Sequence, residues 1–195
     1  MNREQLAHVL RAAADIVPGA DIVVVGSQAV LATRDEGELP IEATRSIEVD
    51  LAFFDDPDEA KADAIDGAIG ELSRFHETFG YYGQGVSLTT PVLAEGWAKR
   101  LIRLETPAAA ARIRALEVHD CAVSKLVAFR EKDREFASAL ISAGVIKAHL
   151  IARRLDGLPD SVSPARRMEL VRWLGRAVER VSICSRRPNR LKDPA

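Results

Sequence analysis

Two carboxylates one residue apart, inside the otherwise apolar run Ile47-Glu48-Val49-Asp50-Leu51-Ala52-Phe53-Phe54, are the most chemically suggestive feature of the chain. On a strand, residues i and i+2 point to the same face with Cα atoms about 6.6 Å apart, so both acids can converge on one or two hard cations. Two unpaired negative charges are costly to bury, so something must meet them: a metal ion, arginines, or water on a wet face. Upstream, the β-branched run Ile22-Val23-Val24-Val25 delivers Gly26-Ser27 to a short helical stretch, Gln28-Ala29-Val30-Leu31-Ala32. Free N–H groups at a helix start favour a phosphate, glycine lets the backbone approach it, and serine adds a hydroxyl donor. The order strand, Gly-Ser, helix, acid-x-acid strand therefore sets a triphosphate cradle beside a metal site.

A third feature lies further along. Val118, Cys121, Ala122, Lys125, Phe129 and Lys132 fall on one stripe at helical spacing, so Lys125 interrupts an apolar seam. A second stripe, Leu126, Phe129, Asp133, Phe136, Ala137 and Leu140, is interrupted by Asp133. Charges on a core-facing stripe line a cleft or are paired. In a nucleotidyl-transfer site Lys125 would neutralise triphosphate charge, and Asp133 would orient a basic group or help activate an acceptor. The alternative for both is ion pairing among Arg130, Glu131, Lys132, Asp133 and Arg134, which i,i+3 and i,i+4 spacing allows. His8, His76, His119 and His149 form no metal-ligand cluster, and Trp97 and Trp173 read as packing residues.

The elements that must position these residues follow from periodicity. A first helix is expected over about Asn2 to Ile16, stopped by Pro18-Gly19, and a buried strand over Ile22 to Val25. Residues Thr33 to Pro40 read as loop, Ile47 to Phe54 as a second strand, and Glu59 to Leu72 as a helix. Strands are expected in the glycine-rich Gly80 to Leu88 and at Arg100 to Leu104. The character changes at Thr106-Pro107 and the alanine run beyond, and a division is placed at about residue 110. Everything after it reads as helical: Val118 to Ile141, Ile146 to Leu155 and Pro164 to Val181, then a basic tail.

Composition bounds the class. The chain has 195 residues, 47% hydrophobic and 29% charged, with a formal net charge of -2. A chain of this length buries a core without disulfide or structural metal, and Cys121 and Cys184 stand alone, as small core residues. No run is long enough to span a membrane, and Met1-Asn2-Arg3-Glu4-Gln5 does not begin a signal peptide, so a cytoplasmic location is expected. The charge is polarised: eight acids and one base lie between Glu48 and Asp66, while Ser163 to Ala195 carries nine bases against three acids. An acidic metal-binding end and a basic surface for phosphates fit that layout, as does a solvated helix face with a frayed tail.

In this order, Gly26-Ser27, Glu48-Val49-Asp50, Phe79-Gly80-Tyr81-Tyr82, Leu93-Ala94-Glu95-Gly96-Trp97, His119-Asp120 through Ser124-Lys125-Leu126, and Arg130-Glu131-Lys132-Asp133 resemble AbiEii-like nucleotidyltransferases, the MenT-type toxins in particular. The resemblance runs from about Asp21 to Leu155. It implies an α/β (α+β) fold with a DNA polymerase β-like nucleotidyltransferase core, residues 1–110, and a helical C-terminal subdomain with the basic tail, residues 111–195. It further implies the toxin of a toxin-antitoxin pair, using Mg²⁺ and a nucleoside triphosphate to modify the 3′ end of tRNA, with an antitoxin protein as partner. Residue by residue, Gly26, Ser27 and Lys125 match the nucleotide-binding positions, Glu48 and Asp50 the metal acids, and Lys125 and Asp133 the downstream catalytic pair. The first acid is Glu where the family commonly has Asp, and Val86-Ser87-Leu88 offers no third carboxylate, so the general base is unassigned. A decayed core that only binds nucleotide, RNA or a partner protein, and a transferase acting on a protein or small-molecule hydroxyl, are the other readings.

Overall fold

The structure, a computed structural model, describes residues 1–104 and 112–185. Helix α1 (Arg3–Ile16) begins where the Asn2 side chain accepts from Gln5 N–H at 2.8 Å and the Gln5 side chain accepts from Asn2 N–H at 3.0 Å. That reciprocal cap satisfies donors with no partner inside the helix, and the helical repeat then buries Leu6, Val9, Leu10 and Ala13. Five strands follow: β1 (Asp21–Val24), β2 (Glu48–Phe53), β3 (Tyr82–Gly85), β4 (Ile102–Arg103) and β5 (Arg112–Ala115). They form one sheet in the order β3-β2-β1-β5-β4. Central β1 pairs antiparallel with β2, Val24 opposite Leu51, and parallel with β5, Asp21 opposite Arg112. β3 runs parallel to β2, and β4 antiparallel to β5.

Strand alternation assigns the two faces. Val49 and Leu51 are fully buried on the face covered by α1 and α3 (Ala60–Ile69), where a Cβ on Gly83 of the next strand would sit 3.0 Å from Val9 and Ile69. Glu48 and Asp50 therefore look to the opposite face. α3 lies in backbone contact with β3, since a Cβ on Gly85 would fall 2.1 Å from the Ala62 carbonyl. The link from β3 to β4 joins opposite edges and must cross the sheet. Its Thr90, Pro91 and Val92 line the same cavity as Asp50, which puts the crossing, residues 86–101, on the acid face. Trp97 at its far end stacks on Phe54 at 5.8 Å between ring centroids.

The crossing is tied down by charge. Arg100 donates from Nε and Nη2 to the two oxygens of Asp120 at 2.7 and 2.8 Å, and from Nη2 to the Glu95 carbonyl at 3.0 Å. Asp120 is 1% exposed and has Arg154 as a second cation at 3.2 Å, so its charge is matched twice over. Asp120 belongs to α5 (Val118–Ala128) and Arg154 to α7 (Ala148–Asp156), which together with α6 (Glu131–Ser142) and α8 (Pro164–Ser185) form the helical half. No helix among the described residues is long and apolar enough to cross a membrane.

Several expected elements are corrected. The stretch after residue 110, read as wholly helical, supplies β5: only Ile113 and Ala115 are buried there, too short an alternation to stand out beside an alanine run. The long helix expected over Val118 to Ile141 is two helices, broken where Phe129 takes a left-handed φ of 58° and Arg130 caps the next helix, with neither Gly nor Pro to mark it. The helix after Gly26 is a 3₁₀ turn, Ser27–Ala32. Expected strands at Gly80 to Leu88 and Arg100 to Leu104 shorten to β3 and β4, and Glu59 to Leu72 yields α3, followed by a separate α4 (Arg74–Phe79). The division at about residue 110 and the tail beyond Ser185 fall outside the described residues.

Candidate active site

A cavity of about 480 Å³ opens between the acid face of the sheet, the crossing segment and helices α5 and α6. Gly26, Ser27, Glu48, Asp50 and Lys125 all line it. Their convergence has a local cause in each case. Val25 N–H donates to the Asp50 carbonyl at 3.0 Å, which holds the exit of β1 against the middle of β2. Gly26 then packs directly on the acid: a Cβ there would fall 1.6 Å from Asp50 Oδ2. Beneath the turn, the fully buried Cys121 donates to the Gly26 carbonyl at 3.3 Å, and burial pushes its thiol up to about 12, so it stays protonated as a donor. The fully buried Gln28 reaches the Ser46 carbonyl at 3.4 Å and ties the same turn to the entry of β2.

Glu48 and Asp50 are half-buried, on one side of the strand. Burial, with the Asp50 carboxylate beside it, holds the Glu48 carboxyl above its ordinary range. Tyr82, opposite Glu48 in the register, donates to its Oε2 at 3.4 Å. Burial and the Glu48 charge push that phenol up to about 12, so it remains a donor. Two acids pressed together, with one resisting ionisation, are arranged to receive positive charge, and oxygen donors suit a hard cation. Among the described residues no group of three or more His, Cys, Asp or Glu could hold a metal ion.

Asp133 does not line the cavity. It is 1% exposed, accepts from Arg130 Nε at 2.7 Å and Nη2 at 3.3 Å, and lies 4.0 Å from Lys125 Nζ. The Arg130–Asp133 ion pair at i,i+3, the alternative the spacing allows, is present. After the helix break at Phe129, Arg130 and Lys132 both line the cavity wall.

Other lining residues carried little sequence signal. Arg45, in the loop after α2 (Ile41–Thr44), joins the wall and pairs with Glu135 at 2.8 Å; nothing in its surroundings marks it. Glu42 of α2 is a third carboxylate on the wall, outside the strands where one was sought. Tyr82 belonged to a recognisable segment, but its contact with Glu48 emerges only from the register of β2 with β3.

Comparison with known proteins gives one result. No curated protein and no solved structure matches the chain. A family model described as a nucleotidyltransferase of unknown function (DUF6036) matches residues 4–173, a span that takes in the sheet, the cavity and most of the helical half. With its mixed α/β architecture and an acid pair set beside a Gly-Ser turn, the chain belongs to that nucleotidyltransferase family.

Proposed function

We propose that this protein has a DNA polymerase β-like catalytic core and is a Mg²⁺-dependent transferase that moves a nucleoside monophosphate from a nucleoside triphosphate to an acceptor hydroxyl, at the 3′ end of tRNA, releasing pyrophosphate. The observation that carries the reading is the packing of Asp50 on Gly26 within a cavity that also holds Glu48, Ser27 and Lys125. Mg²⁺ is commonly bound through one or two carboxylates plus substrate phosphates, which is what the cavity-lining Glu48–Asp50 pair offers. Bound there, Mg²⁺ supplies charge neutralisation at the reacting phosphate and its attacking and leaving oxygens.

The chain's own residues do the positioning. Ser27 and the backbone of its turn hold phosphate oxygens, and Lys125, kept in place from behind by Asp133, neutralises the charge that builds on the leaving pyrophosphate. The acceptor oxygen bonds to the α-phosphorus as the bond to the bridging oxygen breaks. Glu42 faces the same cavity and takes the acceptor's proton.

The toxin role, with an antitoxin protein as partner, completes the proposal and rests on the resemblance of the ordered motifs; a cytoplasmic location is proposed with it, from the lack of a membrane-length apolar run and of a signal-peptide start. The test is incubation of the protein with Mg²⁺, each α-labelled nucleoside triphosphate in turn, and total tRNA, beside Asp50→Ala. Label on tRNA with wild type alone supports the reading; a folded wild-type protein that labels nothing with any of the four overturns it. Growth arrest on expression, relieved by Asp50→Ala, tests the toxin role.

A further inference from the structure

Phe129 occupies a position where glycine is the usual residue, the left-handed residue closing α5. A bulky side chain is disfavoured there, and such residues persist where the surroundings impose them. The ring is met by two guanidinium groups: Arg134 of α6 has its Cζ 5.0 Å from the ring centroid, and Arg166 of α8 has its Cζ at 5.1 Å. Next along the chain, Arg130 turns to the cavity wall, and Lys132 lines it as well. Arg134 and Lys132 have no ion pair among the described residues, while Arg130 and Arg166 are each matched by one acid, Asp133 and Glu169. Two cations thus lie over one aromatic ring, and two more, Arg130 and Lys132, stand at the cavity wall within electrostatic reach of its acids.

We propose that this surface, Phe129 with Arg134 and Arg166 continuing through Arg130 and Lys132 into the cavity, binds the single-stranded end of a polynucleotide acceptor and leads its terminal hydroxyl to the acids. The inference rests on the transferase reading and adds the surface that selects the acceptor. Two guanidinium groups held over an aromatic ring offer bases a stacking surface and phosphates a charge, the combination that single-strand binding uses. An acidic polypeptide would answer the charge but gain nothing from a ring flanked by guanidinium planes. A cavity of about 480 Å³ has the size of a small-molecule pocket, too small to admit a duplex.

The test is binding of a short fluorescent single-stranded RNA to the full chain, in EDTA and without nucleotide, across a salt series. Wild type is expected to bind with a steep salt dependence. The double variant Arg134→Gln/Arg166→Gln is expected to lower the slope of log K against log salt by about 1.4, two phosphate contacts' worth for a single strand. Phe129→Leu, which removes the aromatic face and keeps an apolar side chain against the core, is expected to weaken binding about tenfold while melting within a few degrees of wild type. Absence of wild-type binding, or slopes and affinities unchanged by these variants, would overturn the proposal. So would a polyglutamate of equal charge displacing the RNA as well as RNA itself does, which would make the surface a dock for acidic protein. Because the assay contains no triphosphate, its outcome is separate from that of the transfer assay: label transferred to tRNA with the slope unmoved keeps the transferase and removes this surface.

Discussion

Asp50 lies so close to the backbone of Gly26 that a Cβ on the glycine would fall 1.6 Å from its Oδ2. The backbone at Gly26, φ -84° and ψ -165°, is open to any residue, so the constraint is the carboxylate and not the chain. Gly26→Ala is expected to fold, melting within a few degrees of wild type, and to displace Asp50. A shift of about 1 Å in a reacting group costs about a hundredfold, so transfer should fall by about that factor. Transfer assayed beside thermal melting checks this, and an active Gly26→Ala would remove Asp50 from the site.

Asp133 and Lys125 should separate stability from turnover. Asp133 is buried and accepts from the Arg130 backbone N–H as well as its side chain, so Asp133→Ala leaves cationic groups without a partner. A loss of about 2 kcal/mol is expected, read by urea denaturation, together with weaker triphosphate binding. Lys125→Met should reduce transfer with little change in stability, since its side chain is partly solvated. If Asp133 acts through Lys125, their effects on kcat/KM will be less than additive in a double-mutant cycle.

Glu42→Gln tests the assignment of the acceptor's proton. General-base contributions are typically about 10²- to 10⁴-fold, so kcat should drop within that range while the KM for triphosphate holds. A variant with wild-type kcat would return the proton to solvent.

A pH effect on stability is expected from Asp66, outside the cavity. Its oxygens accept from Gly85 N–H at 2.5 Å and Gln84 Nε2 at 2.7 Å, closing the exposed edge of β3. Burial outweighs these contacts and raises its carboxyl above the ordinary range. The folded state therefore holds this proton where the unfolded chain has lost it. The associated stability is fully present below the unfolded value of 3.8 and is lost as pH rises through the raised folded value. Asp66→Asn should remove that decline, measurable as a flatter melting-temperature profile on the acid side.

Much of the site was legible because its strands carry strong local signals. The β-branched run of β1 and the alternation of β2 give their positions within a residue, and alternation alone puts Glu48 and Asp50 on one face. What the sequence could not show depends on contacts between distant segments. Phe129 breaks a helix without Gly or Pro, and Arg130, the residue after the break, lines the cavity wall. Tyr82 reaches Glu48 only through a parallel register set by backbone pairing, and the crossing segment becomes a wall only because β3 and β4 occupy opposite edges. β5 was hidden by its brevity, yet it is the direct neighbour of β1.

That last adjacency sets an order of events during synthesis and folding. β1 takes β2 from across residues 25–47, but its other partner pairs Asp21 with Arg112, far along the chain, and Lys125 follows later still. Loops of that length close late, because their entropy is spent before the contacts reward it. The acid pair is therefore made early and the lysine delivered last, so a nascent chain still short of α5 and α6 cannot assemble the full constellation. A chain interrupted before residue 125 would hold the acid pair without its lysine, so the proposed transfer waits on the helical half.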